Sequence, residues 1–576
     1  MNDGPAPLVG RSSEVTVLAA ALDSVRQGRM AAVFLTGDAG VGKTRLVRNL
    51  VARAARGGAT VLVGGAMDIA ESPPFWPVAS ALRDLLRSPE GQQVQQLLAP
   101  WAHQLDELVA PAGVAPAAPQ ARVQTLELVH GVLLALAERS VVVLVLEDLQ
   151  WVDRSTLDLL SYLIANLAQE RVLVVATHRT DAATDTSATR TMIGELVRHR
   201  QVRCMDVGPL ARDAVAAMVT AAAPGRTDLV DLVWTRSAGN AFIAEETLRA
   251  ALDGDAAALP STLRELVLSR VATLSAPARR AVRAIALCDG TLPHRLLDAV
   301  LSDGLPHGLS EGLADGPAEG PGGGPTDGLA AGSGGAQLLD ALREAVDAGV
   351  VTVDGATDSY RLRHGLMTDV VVAELLPGER LDLHCRYAVA LEGPCGRELP
   401  GVDARLAHHW SAAGEVERAA AATVAAAEGA ERVYGFAEAH RHWLRAARLA
   451  GNVRTAPVPR ETCLERAAEA AHLAGDPDQA VALLSERLAA IDEPDGRTPD
   501  GPTPAGLGAA LLHARTGQYL VAAGRGREAA LAFGRATTLL PASGGEREQA
   551  EVLGGHAAAL WTARTGRPAS SAGTHP

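Results

Sequence analysis

The stretch "GDAGVGKT" spaces its residues as Gly37-x-x-x-x-Gly42-Lys43-Thr44. It follows the apolar run "AAVFLTG" (31–37) and precedes the helical pattern "TRLVRNLVARAARG". Between a strand and a helix, such glycines let backbone N–H groups wrap phosphates, and the helix N-terminus adds its positive dipole end. Lys43 then reaches the β- and γ-phosphates of a nucleotide, and Thr44 ligates Mg²⁺. Asp38, Ala39, Gly40, Val41 and Arg45 complete the expected phosphate-binding stretch. Lys43 is the only lysine in the chain, whereas arginine occurs throughout. A high-GC genome accounts for the missing lysines, but not for the place of the one retained. The slot beneath such a loop takes a slim, flexible point charge, and a guanidinium is a broad planar fork. A glycine-rich turn matching by chance would not also come with the strand, the helix and the lone lysine.

A phosphate loop needs a strand-end carboxylate near the metal. "VVVLVLEDLQWVD" ends a buried strand on Glu147-Asp148. One of the two is expected to hold Mg²⁺ and the other to orient the attacking water, with the order left open. Asp153 reads better as the cap of the helix opening "RSTLDLL" than as a helper in the site. "VVATHRTD" ends the next strand. Thr177, His178 and Arg179 would lie beside the γ-phosphate in a doubly wound strand order. Arg179 is then either a sensor of that phosphate through charge-assisted hydrogen bonds or an exposed arginine; His178 reads as structural.

The elements that must hold these residues are legible as runs. Segments 31–37, 59–66, 141–149 and 171–179 are continuous β-branched stretches, as strands covered on both faces should be. Helical patterns lie between them, so the fold class is an α/β P-loop NTPase with a parallel sheet, over 1–204. Strands are expected to stop near 205. A helical lid follows over 205–257, then a winged-helix-like unit over 258–379 with a hairpin at Val350–Thr352 and Ser359–Leu362. The Gly/Pro-rich stretch 302–335 reads as a disordered insertion within that unit, and 492–504 as a linker. From 380 to 565 Ala-rich helices recur with Gly-centred punctuation, as in "LAGDPDQAV" and "AAGRGREAA". That is the pattern of tetratricopeptide-like repeats, a plain helical bundle being the alternative. Residues 566–576 read as a disordered tail.

Composition limits the function classes. Aromatics are 3% of the chain, which suits helices packed through small side chains. The net charge is −14 and no Lys/Arg cluster appears, which argues against direct sequence-specific DNA binding. Five cysteines without a CxxC pair argue against a disulfide framework or a zinc site. No basic n-region with an apolar core opens the chain, and no apolar run has membrane-spanning length. A soluble, cytoplasmic protein without a membrane partner is expected.

The ordered set "PLVGRSSEV", the phosphate loop, "LEDLQWVDRSTLDLL", "VVATHRTD", "SAGNAFIAEETL", "YRLRHGLMTDVVVAELLPGERLDLH" and "LAHHWSAAGEVERAA" resembles the large ATP-binding regulators of the LuxR type, among the signal-transduction ATPases with numerous domains. The resemblance runs from about 7 to 450. It implies that Val9, Gly10 and Arg11 lie by the adenine, and that ATP/ADP exchange with slow hydrolysis controls self-association. It also implies an inducer, a small molecule or protein, recognised at the helical repeats. Related switch ATPases place a histidine where His364 stands, touching the β-phosphate of ADP; an ordinary packed histidine is the alternative. Three departures stand out. Ala241 replaces the proline of the family's Gly-Asn-Pro-Phe lid motif, which should loosen that turn. The winged helix carries the insertion. The chain stops at 576, before any terminal helix-turn-helix, as a truncated product, a fragment or a shortened regulator would. The other readings are the same module in a cyclase- or kinase-associated signalling protein, and a non-hydrolysing scaffold.

Overall fold

A computed structural model of the chain describes residues 8–69, 72–89, 91–109, 121–180, 187–253, 263–288, 291–302, 331–354, 358–397, 399, 401–492, 504–540 and 546–565. The tail 566–576 and most of the expected insertion lie outside the described residues. The last five residues assigned to that insertion do not, because helix Ala331–Asp347 already includes them. Contacts divide the chain into two compact units, the first reaching Glu415 apart from 114–121, the second running from Val416 onward.

In the first unit, five parallel strands form one sheet: β1 (Ala31–Gly37), β2 (Thr60–Gly65), β3 (Val142–Glu147), β4 (Val172–Arg179) and β5 (Val202–Asp206), in the order β2-β3-β4-β1-β5. The fifth strand is not among the four expected, and it ends at Asp206, close to where the sheet's strands are expected to stop. It is an edge strand, paired with β1 only, and Arg203 and Asp206 break the apolar run that the others keep. Strands β1, β3 and β4 are buried on both faces, whereas β2, at the other edge, exposes Val63 and Gly65. Val33, Leu35, Val143, Val145, Leu173 and Val175 pack against helices Ser12–Arg26 and Lys43–Arg56. Phe34, Leu144, Leu146 and Val174 pack on the other face with helices Trp76–Arg87, Ala121–Arg139 and Arg154–Asn166. Strand period 2 divides each run between the two cores.

Helices Arg212–Ala222, Leu229–Ser237 and Ala241–Asp253 share a small core of their own, the lid. Helices Ala276–Leu287, His294–Leu301 and Ala331–Asp347 follow with a three-stranded antiparallel sheet: β6 (Leu292–Pro293), β7 (Val351–Asp354) and β8 (Ser359–Leu362), ordered β6-β8-β7. The hairpin falls within a residue or two of its expected place. Helices Pro377–Glu392 and Val402–Ala412 join this core, and the Tyr387 hydroxyl donates to the Ala284 carbonyl at 2.6 Å. The contact division therefore falls at 415/416, where the sequence suggested a repeat boundary at 380.

The second unit is a row of helices in which each packs on the next: Val416–Arg432, Phe436–Ala450, Arg460–Leu473, Pro477–Asp492, Pro504–Ala522, Gly526–Leu539 and Glu546–Thr565. Two of its turns close with the same device. Gly475 (φ +90°) and Gly524 (φ +75°) take the left-handed conformation after a helix. The next residue's N–H reaches back five positions, Asp476 to Ala471 at 2.9 Å and Arg525 to Leu520 at 2.8 Å, satisfying end carbonyls.

Candidate active site at the carboxyl end of the parallel sheet

The loop after β1 is held by its carbonyls. Lys43 Nζ, buried, donates to the Gly37 carbonyl at 2.7 Å and the Asp38 carbonyl at 2.9 Å. The Ala39 carbonyl accepts from Asn240 Nδ2 at 2.8 Å, the Gly40 carbonyl from the Phe242 N–H at 3.0 Å, and the Val41 carbonyl from Arg11 Nη2 at 2.8 Å. A trans peptide sets its N–H opposite its C=O. Anchoring these carbonyls therefore directs the following N–H groups, of Gly40, Val41 and Gly42, to the opposite side, where an anion can be cradled. Gly42 (φ +108°) then opens helix Lys43–Arg56, whose dipole adds to the same site.

Space as well as φ demands glycine here. A Cβ on Gly37 would stand 2.5 Å from the Val207 carbonyl oxygen. A Cβ on Gly40 would meet Asn240 Oδ1 at 2.8 Å, Leu366 Cδ1 at 2.9 Å and Phe242 Cβ at 3.1 Å. The loop is thus in contact with the lid turn on one side and with the segment after the β7–β8 hairpin on another.

Parallel register brings the acids to the loop. Arg179 lies opposite Gly37, and β4 runs between β3 and β1, so the ends of all three strands converge. Glu147 hydrogen-bonds with Thr44; burial, followed by the neighbouring charge of Asp148, pushes its carboxyl up to about 7. Asp148 takes a left-handed conformation (φ 61°), which turns it away from the strand line. Its N–H donates to Thr177 Oγ1 at 2.9 Å, and its Oδ1 accepts from Gln150 Nε2 at 3.0 Å. Gln150, buried, also accepts from the Arg179 N–H at 3.1 Å, so it ties the end of β3 to the end of β4. Thr180 Oγ1 donates to Asp38 Oδ1 at 2.7 Å. Arg179 itself lies over the Trp151 ring, 5.7 Å from its centroid, and 3.9 Å from Asp369 Oδ2. Asp153 caps helix Arg154–Asn166, accepting from the Thr156 N–H and the Phe75 N–H at 2.7 and 2.9 Å. His178 is buried in β4.

The Val9-Gly10-Arg11 segment divides its work. Val9 and Leu8 line a mostly apolar cavity of about 300 Å³ with Leu210, Met218 and Leu248 of the lid. Gly42 and Arg45 of the loop lie at the same cavity, as do Glu245 and Arg249; Arg45 is 3.5 Å from Glu245. This is a slot for a flat apolar group whose phosphates reach the loop. Gly10 does not reach it and packs instead beside Ala214, where a Cβ would come within 2.3 Å. Arg11 lines the cavity, but its fork is spent on the Val41 and Gly208 carbonyls and on Glu14. It braces the loop.

The lid turn Gly239-Asn240-Ala241-Phe242 is tied at several points without the expected proline. Asn240 Oδ1 accepts from the Phe242 N–H at 3.1 Å, its amide holds the loop, and the Gly239 carbonyl accepts from the Leu210 N–H at 2.7 Å. These bonds tie the turn, in which alanine lacks the φ restraint of proline. His364 lies against Phe242 with ring centroids 4.1 Å apart and planes tilted by 51°, and its Nε2 is buried without a hydrogen-bond partner. Burial, then Arg363, Arg48, Arg249 and Arg45, hold its ring down to about 3, so it is neutral at physiological pH. The loop carbonyls as acceptors, and Gln150 and Thr180, were not marked among the expected site residues. Only "SAGNAF" and "LEDLQW" hinted at Asn240 and Gln150, because their partners lie some 200 and 30 residues away.

Residues 7–175 match the AAA ATPase domain family. A curated relative, an uncharacterized protein of Rhizobium meliloti (strain 1021), is 24% identical over 491 residues, covering 78% of this chain and 43% of its own length. The chain thus spans less than half of the relative it matches. Among solved structures, a signal transduction ATPase with numerous domains (STAND) protein with a tetratricopeptide repeat sensor from Pyrococcus horikoshii aligns over 97% of this chain and 81% of its own, at 12% identity and a TM-score of 0.43. The ORC1 protein of Aeropyrum pernix, solved in complex with DNA, aligns over 64% of this chain and 94% of its own, at 18% identity and a TM-score of 0.31. The region 7–175 is an AAA-type P-loop ATPase module. Within the described residues no helix is long and apolar enough to cross a membrane.

Proposed function

We propose that the chain is an ATP-binding signal-transduction switch of the LuxR-regulator type, in which ATP/ADP exchange and slow hydrolysis control self-association or partner binding. The observation that carries this reading is the contact of the phosphate loop with two elements outside the parallel-sheet core. Asn240 and Phe242 of the lid hold its carbonyls, and Leu366 and His364 lie against Gly40 and Phe242. A nucleotide that rearranges this loop must move one of those elements, and that is what a switch requires. The helices and hairpin between 276 and 362 fit a winged helix, here packed into the ATPase unit, and the helical array fits an inducer-recognition surface.

The donor set fits the chemistry. Lys43, now occupied by loop carbonyls, exchanges them for β- and γ-phosphate oxygens. The apolar cavity beside Val9 suits adenine. Hard oxygen donors, the Thr44 hydroxyl and the Glu147 carboxylate, are already bonded to each other, so they would hold Mg²⁺, which supplies charge neutralisation at the phosphates. Asp148, turned out of the strand line and oriented by Gln150 and Thr177, orients the attacking water. Arg179 senses the γ-phosphate by leaving Asp369, and the neutral His364 donates from Nε2 to the β-phosphate of ADP, giving its orphaned nitrogen a partner.

The test is ADP release in stopped flow, with self-association read by light scattering in the same samples. His364→Ala is expected to release ADP at least tenfold faster and to raise basal association. Unchanged off-rates together with unchanged association would sink the switch. Glu147→Gln should weaken Mg²⁺-dependent binding, whereas Asp148→Asn should keep ATP and stop turnover.

A further inference from the structure

Away from the nucleotide, three imidazoles converge between helices Pro377–Glu392 and Val402–Ala412. His384 comes from the first helix, His408 and His409 from the second. One ligand nitrogen from each lies within 4.8 Å of the others. His384 Nδ1 and His409 Nδ1 face one another at 2.9 Å, and both rings are buried. The Tyr387 ring stacks on His409 at 4.9 Å and 9°, which fixes that imidazole's plane. The His384–His408 and His408–His409 centroids are 5.5 and 5.2 Å apart.

We propose that His384, His408 and His409 form a transition-metal site that takes one first-row divalent cation through three neutral imidazoles. Metal–imidazole bonds of about 2.0–2.1 Å turn a 2.9 Å nitrogen separation into an angle of roughly 90°. A tetrahedral centre would need about 3.4 Å by the same arithmetic. The pair therefore suits the square or octahedral preference of Cu²⁺ and Ni²⁺ better than Zn²⁺. The three ligand atoms, all within 4.8 Å of one another, draw together onto one ion as it enters. Facing Nδ1 atoms of a neutral pair share one hydrogen. That ring switches to its Nε2–H tautomer on binding, so no net proton is released.

Burial, then His408 and Arg380, lowers His384 to about 4, and burial, then His408, His384 and Arg405, lowers His409 well below the ordinary range. The same two arginines oppose a dication, which weakens its binding. The competing explanation is a hydrogen-bonded histidine pair that serves packing alone.

The experiment is isothermal titration of the tag-free, chelator-treated full chain with NiCl₂, CuCl₂ and ZnCl₂ at pH 7.5, with the Cu²⁺ form read by electron paramagnetic resonance. One saturable site, nitrogen hyperfine structure and the order Cu²⁺ above Ni²⁺ above Zn²⁺ are expected. His384 and His409 are buried, so their replacement can unfold the region. His408→Gln, at a half-buried position, is the decisive variant, with near-ultraviolet circular dichroism confirming its fold and a binding loss of at least tenfold expected. Absence of saturable binding, or wild-type affinity in folded His408→Gln, overturns the site. So does binding abolished by alkylating thiols, since the half-buried Cys385 adjoins His384.

Discussion

The phosphate loop and the helical array both depend on glycine, for different reasons. Gly37 and Gly40 combine positive φ with neighbours from distant parts of the chain, Val207, Asn240 and Leu366. Gly475 has the same left-handed backbone, but a Cβ there would meet nothing within 4 Å. In the array the demand is local and belongs to the turn. In the loop it is set by the company that the tertiary structure brings. Crowding appears in the array too, but on helix faces: a Cβ on Gly517 or Gly555 would come within 2.6 or 2.4 Å of the Phe533 ring. There, small residues admit one large ring between two helices, and the result is packing rather than a site.

Breaking the loop should have the largest effect. Lys43→Ala is expected to cut ATP affinity at least 10³-fold, about 4 kcal/mol, and Lys43→Arg should be severely impaired as well. Titration with a fluorescent ATP analogue reads both. Wild-type affinity in the arginine variant would refute the geometric account of the lone lysine.

Phe533→Ala removes the ring that two helix glycines were shaped to admit. It should destabilise the helical array by about 3 kcal/mol, within the range for aromatic truncation in a core. Denaturant unfolding should show the loss while ATP affinity stays put. A fall in both would mean that the two regions are energetically coupled.

His364 sharpens the contrast through pH. Its folded-state value is pushed down to about 3 from 6.5. The unfolded chain therefore binds the extra proton between these values, and stability is lost as pH falls from 6.5 toward 3. At pH 5 the group should cost about 2 kcal/mol relative to pH 8. The His364→Gln variant should lack that component when the two stability–pH curves are subtracted. Parallel curves would show that the ring is not buried as neutral imidazole.

The smallest effect belongs to the open turn. Gly475→Ala should cost about 1 kcal/mol, from φ strain alone. A much larger loss, read by thermal unfolding, would reveal a steric partner and erase the distinction between the two kinds of glycine.

Four strands, the phosphate loop, the acids at the end of β3 and the glycine-punctuated helices were determined by sequence alone. Each is a local pattern: an apolar run, a fixed spacing, a turn residue between periodic segments. Edge strand β5 escaped because Arg203 and Asp206 interrupt its apolar run, whereas β2 at the other edge keeps one. Tertiary structure alone decided that Arg11 braces the Val41 carbonyl while lining the cavity, and that Gln150 ties Asp148 to Arg179. It alone brought His364 onto Phe242 and made neighbours of His384, His408 and His409. Periodicity and spacing report only what one segment does to itself. Hydrogen bonds across 30 to 200 residues depend on how separate segments pack, and a single sequence carries no local mark of that.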